Sequence, residues 1–557
     1  MNYKKILIIT LLVLILFGIV IRVASIGKDF SAEETDFVKP AIAIAETGKP
    51  VFYLSEQNPV QLALWHPPMY IYLMSMIFKF GINEVNARSI NILFSLLTAV
   101  LIYLLCSKLI KEEKGKLIGL IAGTFFLTNY YIFSSSILID IDMLSAFFCF
   151  AFVSCILMHQ KSGSKIYVYL SSLSLFFAMF NRWIIAGIIY FFIGIYYLYN
   201  KELRKNFKSY LLTGIASLIA FLSIWGLYIT INSPGNYLFF IKHNAGMGIE
   251  QISNFVVYLG SFMLNISQLI RLVTLPALIL CIWAIVSLFK WESKSVKVIL
   301  IYVISTAIFF LVLPRPAFGY PRYFLTVFPG IAVLIGLFLY KNMKDIEINK
   351  RILVIFASSF IASLLLLVVL SPQLTIYSSK GLIMATNLPD FIFNIFASLP
   401  LLFVLFFNKE EKRKTLLIIL IALILSYTLF FTIGLTLDKT YTKEAGQYIR
   451  EFTNESDVVI VPKAVGYYTD RKFYFNDNHK PYLDFSLSNL KMYFVKSYES
   501  RFMEDEFFWE KGFYSGLYPP LPEENALKQA KYIVLYHPVA GYEYEIKIGD
   551  FYIYKNL

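Results

Sequence analysis

The chain has 557 residues, of which 58% are hydrophobic, 17% aromatic and only 16% charged. Average soluble domains carry about 25% charged residues, so this composition excludes a soluble enzyme, a disordered chain and a disulfide scaffold. It is typical of a polytopic membrane protein. The four cysteines lie in apolar stretches without disulfide or metal spacing, and we interpret them as small buried hydrophobes.

Thirteen continuous apolar stretches predict membrane-spanning helices, because a helical span takes about 17–25 apolar residues. They are 5–26, 86–108, 116–133, 137–158, 166–180, 182–199, 207–231, 269–289, 297–313, 320–340, 351–371, 390–408 and 415–435. Only Asn181 and Arg182 divide the fifth from the sixth. None alternates as a transmembrane strand would. The first is interpreted as a retained helix rather than a cleaved signal peptide, because Arg22 interrupts the cleavage region and no A-x-A sequence appears.

The basic residues of the loops predict the orientation in the membrane. The loops on the side of the N-terminus hold 23 Lys and Arg residues, whereas the longer loops on the other side hold nine. The N-terminus is therefore expected in the cytoplasm and the C-terminal tail outside. Residues 436–557 carry 15 basic and 18 acidic residues, so the formal net charge of +13 comes from the membrane part. We attribute this charge to topology and anionic lipid rather than to nucleic acid.

Composition divides the chain into two expected domains. Residues 1–435 form a membrane domain that includes a long first external loop, 27–85, and residues 436–557 form a small extracytoplasmic α/β domain. Within the loop, 37–47 has a helical pattern. The apolar stretch 69–80 is short for a span, so it predicts a helix that lies at the membrane interface.

The tail has the pattern of a modest mixed domain. Residues 443–453 predict a helix, and 458–461, 532–536 and the hairpin-like stretch 543–554 predict strands. The tail carries neither a nucleophile motif nor a phosphate-binding loop, and the chain has no internal repeat. The sequence therefore directs attention to the membrane domain for chemistry.

Charged side chains gather at the predicted outer ends of the spans, where ionisable groups are costly and commonly functional. They are Glu33, Glu34, Asp36, His66, Asp140, Asp142, Arg182, His243, Arg315 and Arg322. Carboxylates accept a proton from a hydroxyl or hold a divalent metal, and arginine or histidine binds phosphate. This combination suits a lipid-phosphate substrate. A proton or ion pathway would instead need charges at the midplane.

Each candidate also has a purely structural interpretation. Glu33, Glu34 and Asp36 are consistent with a solvated turn. Asp140 or Asp142 is consistent with a cap of the fourth span, because an acid suits the positive end of a helix dipole. The arginines are consistent with interface anchors, and the histidines with ordinary loop residues.

Four motifs, in this order along the chain, resemble the GT-C class of polytopic glycosyltransferases. The nearest kin are the protein O-mannosyltransferases and the lipid A aminoarabinose transferases. The motifs are Glu33-Glu34-Thr35-Asp36-Phe37, His66-Pro67-Pro68-Met69-Tyr70 with Ala87-Arg88, the run from Ile137 to Leu144 with Phe147-Phe148, and Pro321-Arg322-Tyr323-Phe324. The resemblance covers about residues 1–435. It implies an α-helical polytopic membrane protein with a GT-C-like arrangement of about 13 transmembrane helices.

Members of this class transfer a sugar from a polyprenyl phosphate to an acceptor on the outer face and invert the anomeric centre. By resemblance, Glu33 matches the catalytic aspartate, although its side chain is one methylene longer, and Glu34 matches the second acid of the pair. Asp140 or Asp142 matches the acid at the start of the fourth span. These four residues are the predicted catalytic group.

The resemblance also implies contacts with the carrier phosphate. Arg182 and Arg322 match basic residues near that phosphate, and His66 stands before the double proline where the family has His or Lys. Asp36 departs from the pattern, because it stands at a position that is usually basic. His243 is a candidate for contact with the acceptor or a metal. No metal motif is evident, so a divalent metal is treated as optional.

The implied partners are a polyprenyl-phosphate-linked sugar, a lipid, glycan or protein acceptor, and the bilayer of the cytoplasmic membrane. Three other classes stay open, namely a lipid-linked sugar flippase or transporter, an oligosaccharide polymerase or ligase, and a membrane scaffold. A transporter usually carries internal repeats, which are absent. Polymerases and ligases depend on arginines in long external loops rather than on a carboxylate after the first helix.

Overall fold

The computed structural model describes most of the chain in segments separated by gaps. The described residues are 3–31, 34–53, 55–56, 61–63, 67–110, 112–232, 273–289, 293–312, 321–343, 350–370, 410–437, 440–475, 529–535, 543–549 and 551–555. Their contacts form two compact units. The membrane unit is built from the first helix and residues 91–436, and the tail unit from residues 25–90 together with the tail after residue 436.

Helices dominate the described residues, and strands occur only in the tail unit. The helices are α1 (Tyr3–Ser25), α2 (Thr35–Thr47), α3 (Met69–Phe78), α4 (Glu84–Leu109), α5 (Glu112–Thr128), α6 (Tyr130–Ser136), α7 (Asp142–Ser162), α8 (Ile166–Tyr199), α9 (Phe207–Asn232), α10 (Leu275–Phe289), α11 (Lys294–Val312), α12 (Phe328–Met343), α13 (Lys350–Leu370), α14 (Glu410–Leu437), α15 (Thr442–Phe452) and α16 (Lys463–Thr469). Two short 3₁₀ helices are Arg204–Asn206 and Pro321–Val327. The strands are β1 (Val51–Phe52), β2 (Gln61–Leu62), β3 (Val458–Val461), β4 (Lys472–Phe475), β5 (Ala530–Leu535), β6 (Ile546–Ile548) and β7 (Phe551–Lys555).

The described helices make the chain a multi-pass membrane protein. Eight of them are long and apolar enough to cross a membrane, namely α1, α4, α7, α8, α9, α12, α13 and α14. Helices α5 and α6 form a further candidate, bent by 63° at their junction. The predicted span 390–408 lies outside the described residues. The total of 13 spans therefore stays a prediction.

Helix α8 folds back on itself at Arg182, where the backbone leaves helical geometry at φ −141° and ψ 79°. Before the break, Ser172 Oγ lies 3.1 Å from Ser217 Oγ of α9. After the break, the Tyr190 ring stacks on Tyr210 of α9 with centroids 4.6 Å apart. A straight helix would separate Ser172 from Tyr190 by about 27 Å, but their partners in α9 are only about 10 Å apart. The predicted break is confirmed, and α8 is a hairpin of two arms with Arg182 at its tip.

Helices α4 and α7 run in the same direction through the membrane unit. Near their starts, Asn91 Nδ2 donates to the carbonyl of Asp140 at 2.9 Å. Near their ends, Lys161 Nζ donates to the carbonyl of Lys108. Because α7 begins at Asp142, this acid and Lys161 lie at opposite ends of one helix.

Glycine allows helices α4 and α5 to approach closely. A Cβ atom at Gly119 would lie 2.8 Å from the carbonyl oxygen of Tyr103 and 3.2 Å from the Cβ of Cys106. Small residues are common at contacts between membrane helices, because association there depends on close packing rather than on the hydrophobic effect. Substitution of Gly119 would therefore force these two helices apart.

The tail unit contains a five-stranded sheet with the order β4-β3-β5-β7-β6. Strand β3 pairs in parallel with β4 and β5, whereas β7 pairs antiparallel with both β5 and β6. The turn between β6 and β7 has Gly549 at φ +55°, a conformation that glycine adopts readily. The helix and strands lie within about two residues of their predicted positions, because the apolar pattern in each is strong.

The first external loop packs with the tail in this unit. Glu56 N donates to the carbonyl of Phe473 at 2.9 Å, and Phe473 N donates to the Tyr53 hydroxyl at 3.2 Å. The predicted loop helices are present as α2 and α3, and α2 ends at Gly48 with φ +75°. The sequence analysis grouped this loop with the membrane domain. Its contacts instead place it in the same unit as the tail.

Candidate functional site

Five of the candidate residues lie wholly or partly outside what the structure describes. Glu33, His66, His243 and Arg315 are not among the described residues. The backbone of Arg322 lies in the 3₁₀ helix Pro321–Val327, but its side chain is not described. The roles assigned to Glu33, His66, His243 and Arg322 stay predictions.

Three other predicted residues lie together in the membrane unit and form an acid–arginine cluster of Asp140, Asp142 and Arg182. Arg182 Nε lies 2.5 Å from Asp142 Oδ1, and Arg182 Nη2 lies 4.0 Å from Asp140 Oδ1. None of the three side chains is more than 10% exposed. Removal of one partner from a buried ion pair costs about 3–5 kcal/mol, so each of these charges depends on the others.

Two interruptions in apolar helices bring the cluster together. The first is the bend between α5 and α6, where Asn129 caps α6 by accepting a hydrogen bond from Tyr131 N at 3.0 Å. Helix α6 ends at Ser136, so the predicted span 137–158 becomes helical only at Asp142. The second is the tip of the α8 hairpin, which supplies Arg182. Non-helical backbone at membrane depth is tolerated where it is enclosed by protein.

Asn91 of α4 fixes the non-helical stretch before α7. Its Nδ2 atom donates to the carbonyl oxygens of Asp140, at 2.9 Å, and of Leu138. Asn91 is fully buried. Sequence reasoning missed this residue, although a lone amide in an apolar span is a recognisable signal, since polar side chains there commonly bond neighbouring backbone. Asn91 therefore holds Asp140 in place through the backbone.

The acid–arginine cluster places two carboxylates beside one guanidinium. Carboxylate oxygens accept hydrogen bonds from hydroxyl groups. The cluster is thus able to orient an acceptor hydroxyl or a sugar hydroxyl.

In the tail unit, Glu34 forms a buried ion pair with Arg88. Arg88 Nη2 lies 2.9 Å from Glu34 Oε2, and Arg88 Nε donates to Glu34 Oε1 at 3.3 Å. The two side chains are 2% and 1% exposed. Glu34 Oε2 also accepts a hydrogen bond from Ser31 N at 2.7 Å. Both carboxylate oxygens are engaged within the protein, an arrangement that favours positioning over proton transfer.

Arg88 also holds the backbone between α1 and α2, here called the 26–34 segment. Its Nη1 atom donates to the carbonyls of Ile26, at 3.2 Å, and of Lys28. Its Nη2 atom donates to the carbonyl of Asp29 at 2.9 Å. A guanidinium has five donors in a rigid fork, so one side chain reaches several carbonyls. Arg88 therefore holds the backbone at Ile26, Lys28 and Asp29, which precede Glu33 in the sequence.

Asp36 has a cation from the tail beside it. It pairs with Lys463, the first residue of α16, whose side chain is 3% exposed. Lys39, one turn further along α2, has its Nζ atom 4.6 Å from the ring centroid of Phe473. Burial and the charge of Lys463 lower the pKa of Lys39 to about 7, and the charge of Asp36 opposes that shift. The tail thus contributes positive charge next to a position that is basic in the resembling family.

Several of these residues had no role in the sequence reasoning. Arg88 was noted only as part of the second motif and was given no role, and Lys39 and Lys463 were not singled out. Their partners lie in other helices and strands, so no local sequence pattern predicts these contacts. Among the described residues, no group of three or more His, Cys, Asp or Glu side chains is arranged to hold a metal ion. A divalent metal stays an optional part of the prediction.

Comparisons with known proteins agree with the resemblance drawn from the motifs. Residues 65–225 match the family described as dolichyl-phosphate-mannose-protein mannosyltransferase. This stretch includes Arg88, Asn91 and the whole acid–arginine cluster. No curated protein sequence matches the chain significantly.

The fold is similar to that of ArnT from Cupriavidus metallidurans. The structure of ArnT bound to undecaprenyl phosphate matches with a TM-score of 0.61 at 11% identity, over 100% of this chain and 98% of that one. The apo structure matches with a TM-score of 0.60 at 12% identity and the same coverage. An oligosaccharyltransferase from Archaeoglobus fulgidus matches over 94% of this chain and 69% of its own, with a TM-score of 0.45 at 12% identity. The predicted resemblance to GT-C glycosyltransferases is confirmed at the level of fold.

Proposed function

We propose that the chain is a membrane glycosyltransferase that moves a sugar from a polyprenyl phosphate carrier to an acceptor hydroxyl. The acid–arginine cluster is the observation that carries this proposal. Two acids of one motif and an arginine predicted 40 positions further along the chain converge at the start of α7 and the tip of the α8 hairpin, within the stretch that matches a mannosyltransferase family. The likeness of fold to ArnT, which is described as bound to undecaprenyl phosphate, supports the class of donor.

Glu33 is proposed as the general base. Its carboxylate accepts the proton of the acceptor hydroxyl while that oxygen forms a bond to the anomeric carbon. The bond between this carbon and the phosphate oxygen breaks, and the carrier phosphate leaves with the electron pair. Attack opposite to the leaving group inverts the anomeric centre. General base catalysis contributes about 10²–10⁴ in rate, and the transition state has oxocarbenium character.

Glu34 is proposed to position Glu33 rather than to accept the proton. Its two oxygens bond Arg88 and the backbone of Ser31, which leaves the Glu33 carboxylate as the member of the pair suited to the substrate. The side chain of Glu33 is one methylene longer than that of aspartate. Its backbone must therefore be held firmly if the carboxylate is to reach a single position. The Arg88 contacts with the 26–34 segment provide that support.

Asp140 and Asp142 are proposed to orient a hydroxyl of the sugar or the acceptor, with Arg182 holding Asp142 in place. Contact between Arg182 and the carrier phosphate would use N–H groups of the guanidinium other than Nε, which faces Asp142. Arg322 and His66 are the remaining proposed phosphate contacts. Charge on the departing phosphate increases in the transition state, so cations there would stabilise it.

The reaction is proposed to occur on the outer face of the cytoplasmic membrane, with the N-terminus in the cytoplasm. Helix α7 supports this orientation, because Asp142 is its first residue whereas Lys161 lies in its last turn. Basic loop ends favour the cytoplasmic side. The acceptor is a lipid, glycan or protein that reaches this face.

Release of the carrier phosphate tests the function directly. Purified protein in detergent is offered polyprenyl phosphates carrying different sugars, one at a time, with a crude acceptor mixture. We expect release from one donor and a loss of about 10²–10⁴-fold in Glu33→Gln. Glu46→Gln is the matched control, because Glu46 is exposed near the end of the same helix α2 that follows Glu33.

Three outcomes would contradict the proposal. No release from any donor would exclude the transferase function under these conditions. Movement of an intact lipid-linked sugar across vesicle membranes would favour a flippase. Equal activity of Glu33→Gln and Glu46→Gln would remove Glu33 from the mechanism while leaving the transferase function intact.

A further inference from the structure

The 26–34 segment is held from a second side by the tail. The backbone N–H of Phe30 donates to the Tyr468 hydroxyl at 2.8 Å, and that hydroxyl donates to Glu84 Oε1 at 3.0 Å. The hydroxyl therefore acts as acceptor and donor at once. Tyr468 belongs to α16 of the tail and Glu84 to the first turn of α4, so one hydroxyl links three parts of the tail unit.

Aromatic contacts enclose Phe30 in the same place. Its ring lies 6.1 Å from the Tyr468 ring at an interplanar angle of 12°, and 5.3 Å from the Tyr467 ring at 84°. The Arg88 guanidinium lies 5.4 Å from the Phe30 ring centroid. Phe30 is only 2% exposed. The residue is thus enclosed between the tail and α4, three positions before Glu33.

Lys443 of α15 adds a second connection from the tail. Its backbone N–H donates to Asp29 Oδ2 at 3.0 Å, and its Nζ atom lies 3.0 Å from Glu84 Oε1. Glu84 accordingly accepts from both Lys443 and Tyr468. Because Glu84 lies one turn before Arg88 in α4, the tail and Arg88 hold the segment from one common helix.

We propose that Tyr468 is a positioning residue for Glu33, so that the tail contributes to turnover rather than being only an attached domain. This inference rests on the proposed function. The backbone N–H of Phe30 is held before Glu33 in the sequence, and the side chain of Glu34 is held directly after it. A displacement of about 1 Å at a reacting group can lower the rate by about 10²-fold. The Tyr468 hydroxyl therefore affects turnover without contacting the substrate.

Burial supports the role of the hydroxyl as a neutral donor. It raises the pKa of Tyr468 well above its ordinary value, so the proton stays on the oxygen throughout the physiological range. Phenylalanine preserves the ring contacts with Phe30 but can neither accept from its N–H nor donate to Glu84. Tyr468→Phe is consequently a minimal test.

The kinetic experiment compares Tyr468→Phe with Tyr448→Phe. Tyr448 lies in α15 of the same tail, and its hydroxyl donates to Glu545 Oε1 at 3.2 Å on the surface. We expect Tyr468→Phe to lower kcat about 10-fold with KM for the lipid donor changed less than about 2-fold, because ground-state binding is left intact. Tyr448→Phe should match the wild type.

Combining Tyr468→Phe with Glu33→Gln distinguishes a positioning role of Tyr468 from a general loss of active protein. If Tyr468 acts through Glu33, its substitution should lower the residual rate of Glu33→Gln by less than about 2-fold, since coupled residues are not additive. An equal 10-fold loss in both backgrounds would overturn the proposal.

Hydrogen exchange gives a readout that does not need activity. Amides of residues 26–34 should exchange about 10-fold faster in Tyr468→Phe than in the wild type or in Tyr448→Phe, because the Phe30 N–H loses its acceptor. Unchanged exchange would overturn the proposal. If the wild type transfers no sugar, the proposed function fails, whereas faster exchange of this segment would still support the control of its backbone by Tyr468.

Discussion

Arg182 Nε lies 2.5 Å from Asp142 Oδ1, so the tip of the α8 hairpin is tied to the first residue of α7. The two residues are 40 positions apart in the chain. Both side chains are nearly buried, and their pairing offsets part of the cost of placing charge within a helix bundle. The same contact that forms the candidate site therefore also stabilises the membrane unit.

Asp142→Asn should destabilise the protein strongly. Loss of the carboxylate charge leaves Arg182 with only the more distant Asp140 among its acidic partners in this cluster, and breaking a buried ion pair costs about 3–5 kcal/mol. Thermal unfolding in detergent measures the change. Glu202→Gln is the control, because Glu202 pairs with Lys294 at an exposed site, where a pair contributes about 0–1 kcal/mol. Equal effects of the two changes would contradict the buried pairing.

Arg88→Lys should destabilise the tail unit although it preserves the charge. An ammonium cannot reach Glu34 and the carbonyls of Ile26 and Asp29 together, and each lost bond to a charged group costs about 1.5–3 kcal/mol. Thermal unfolding is compared with Arg450→Lys, whose arginine pairs with Asp470 on the surface. The idea fails if Arg88→Lys unfolds at the same temperature as the wild type.

Asn91→Leu should lower stability and activity together. The carbonyls of Leu138 and Asp140 would lose the donor that Asn91 provides, and an unsatisfied buried polar group costs about 1–3 kcal/mol. The matched control is Asn342→Leu, because Asn342 bonds the carbonyl of Phe338 within its own helix. Unfolding midpoints and sugar transfer are measured for both. Wild-type behaviour of Asn91→Leu would show that the stretch before α7 needs no such support.

Lys39 should make stability depend on pH. Its pKa is about 7 in the folded protein and about 10.4 in an unfolded chain, so the unfolded state binds more protons between these values. Stability from this group therefore rises as the pH increases from about 7 to about 10. Asp36, Lys463 and Tyr53 are the titratable neighbours that modulate the effect.

The measurement is the unfolding midpoint of wild type and Lys39→Met at several pH values from 7 to 9.5. The difference between the two should shift in favour of the wild type as the pH rises. Lys49→Met serves as the control, since Lys49 is exposed just after α2. A difference that stays constant with pH would mean that Lys39 keeps an ordinary pKa.

Local patterns predicted much of this fold, and the reasons are visible in particular residues. Asn181 and Arg182 are polar within a long apolar run, and the hairpin turns there. Strand β3 was predicted because its apolar residues are concentrated, and strand β5 because its buried residues alternate. Asp140, Asp142 and Arg182 were chosen as charges at span ends, and they meet in the structure.

Long-range pairing could not be predicted in the same way. Glu34 and Arg88 are 54 residues apart, and Phe30 and Tyr468 are 438 residues apart. Each residue taken alone has an ordinary surface or anchor interpretation. Only the approach of the tail to the first external loop gives Tyr468 a role, and no periodicity in a single sequence encodes which elements approach each other.

The contact between Phe180 and Phe221 indicates how deep Arg182 lies relative to the end of α9. Their ring centroids are 6.1 Å apart, so the tip of the hairpin is level with the middle of α9. Helix α9 continues for eleven more residues to Asn232, a rise of about 16 Å. Arg182 is therefore recessed by that length below the end of α9. A substrate whose tail stays in the bilayer meets the cluster at its own depth, whereas a water-soluble sugar donor would have to descend about 16 Å from the end of α9 to reach it.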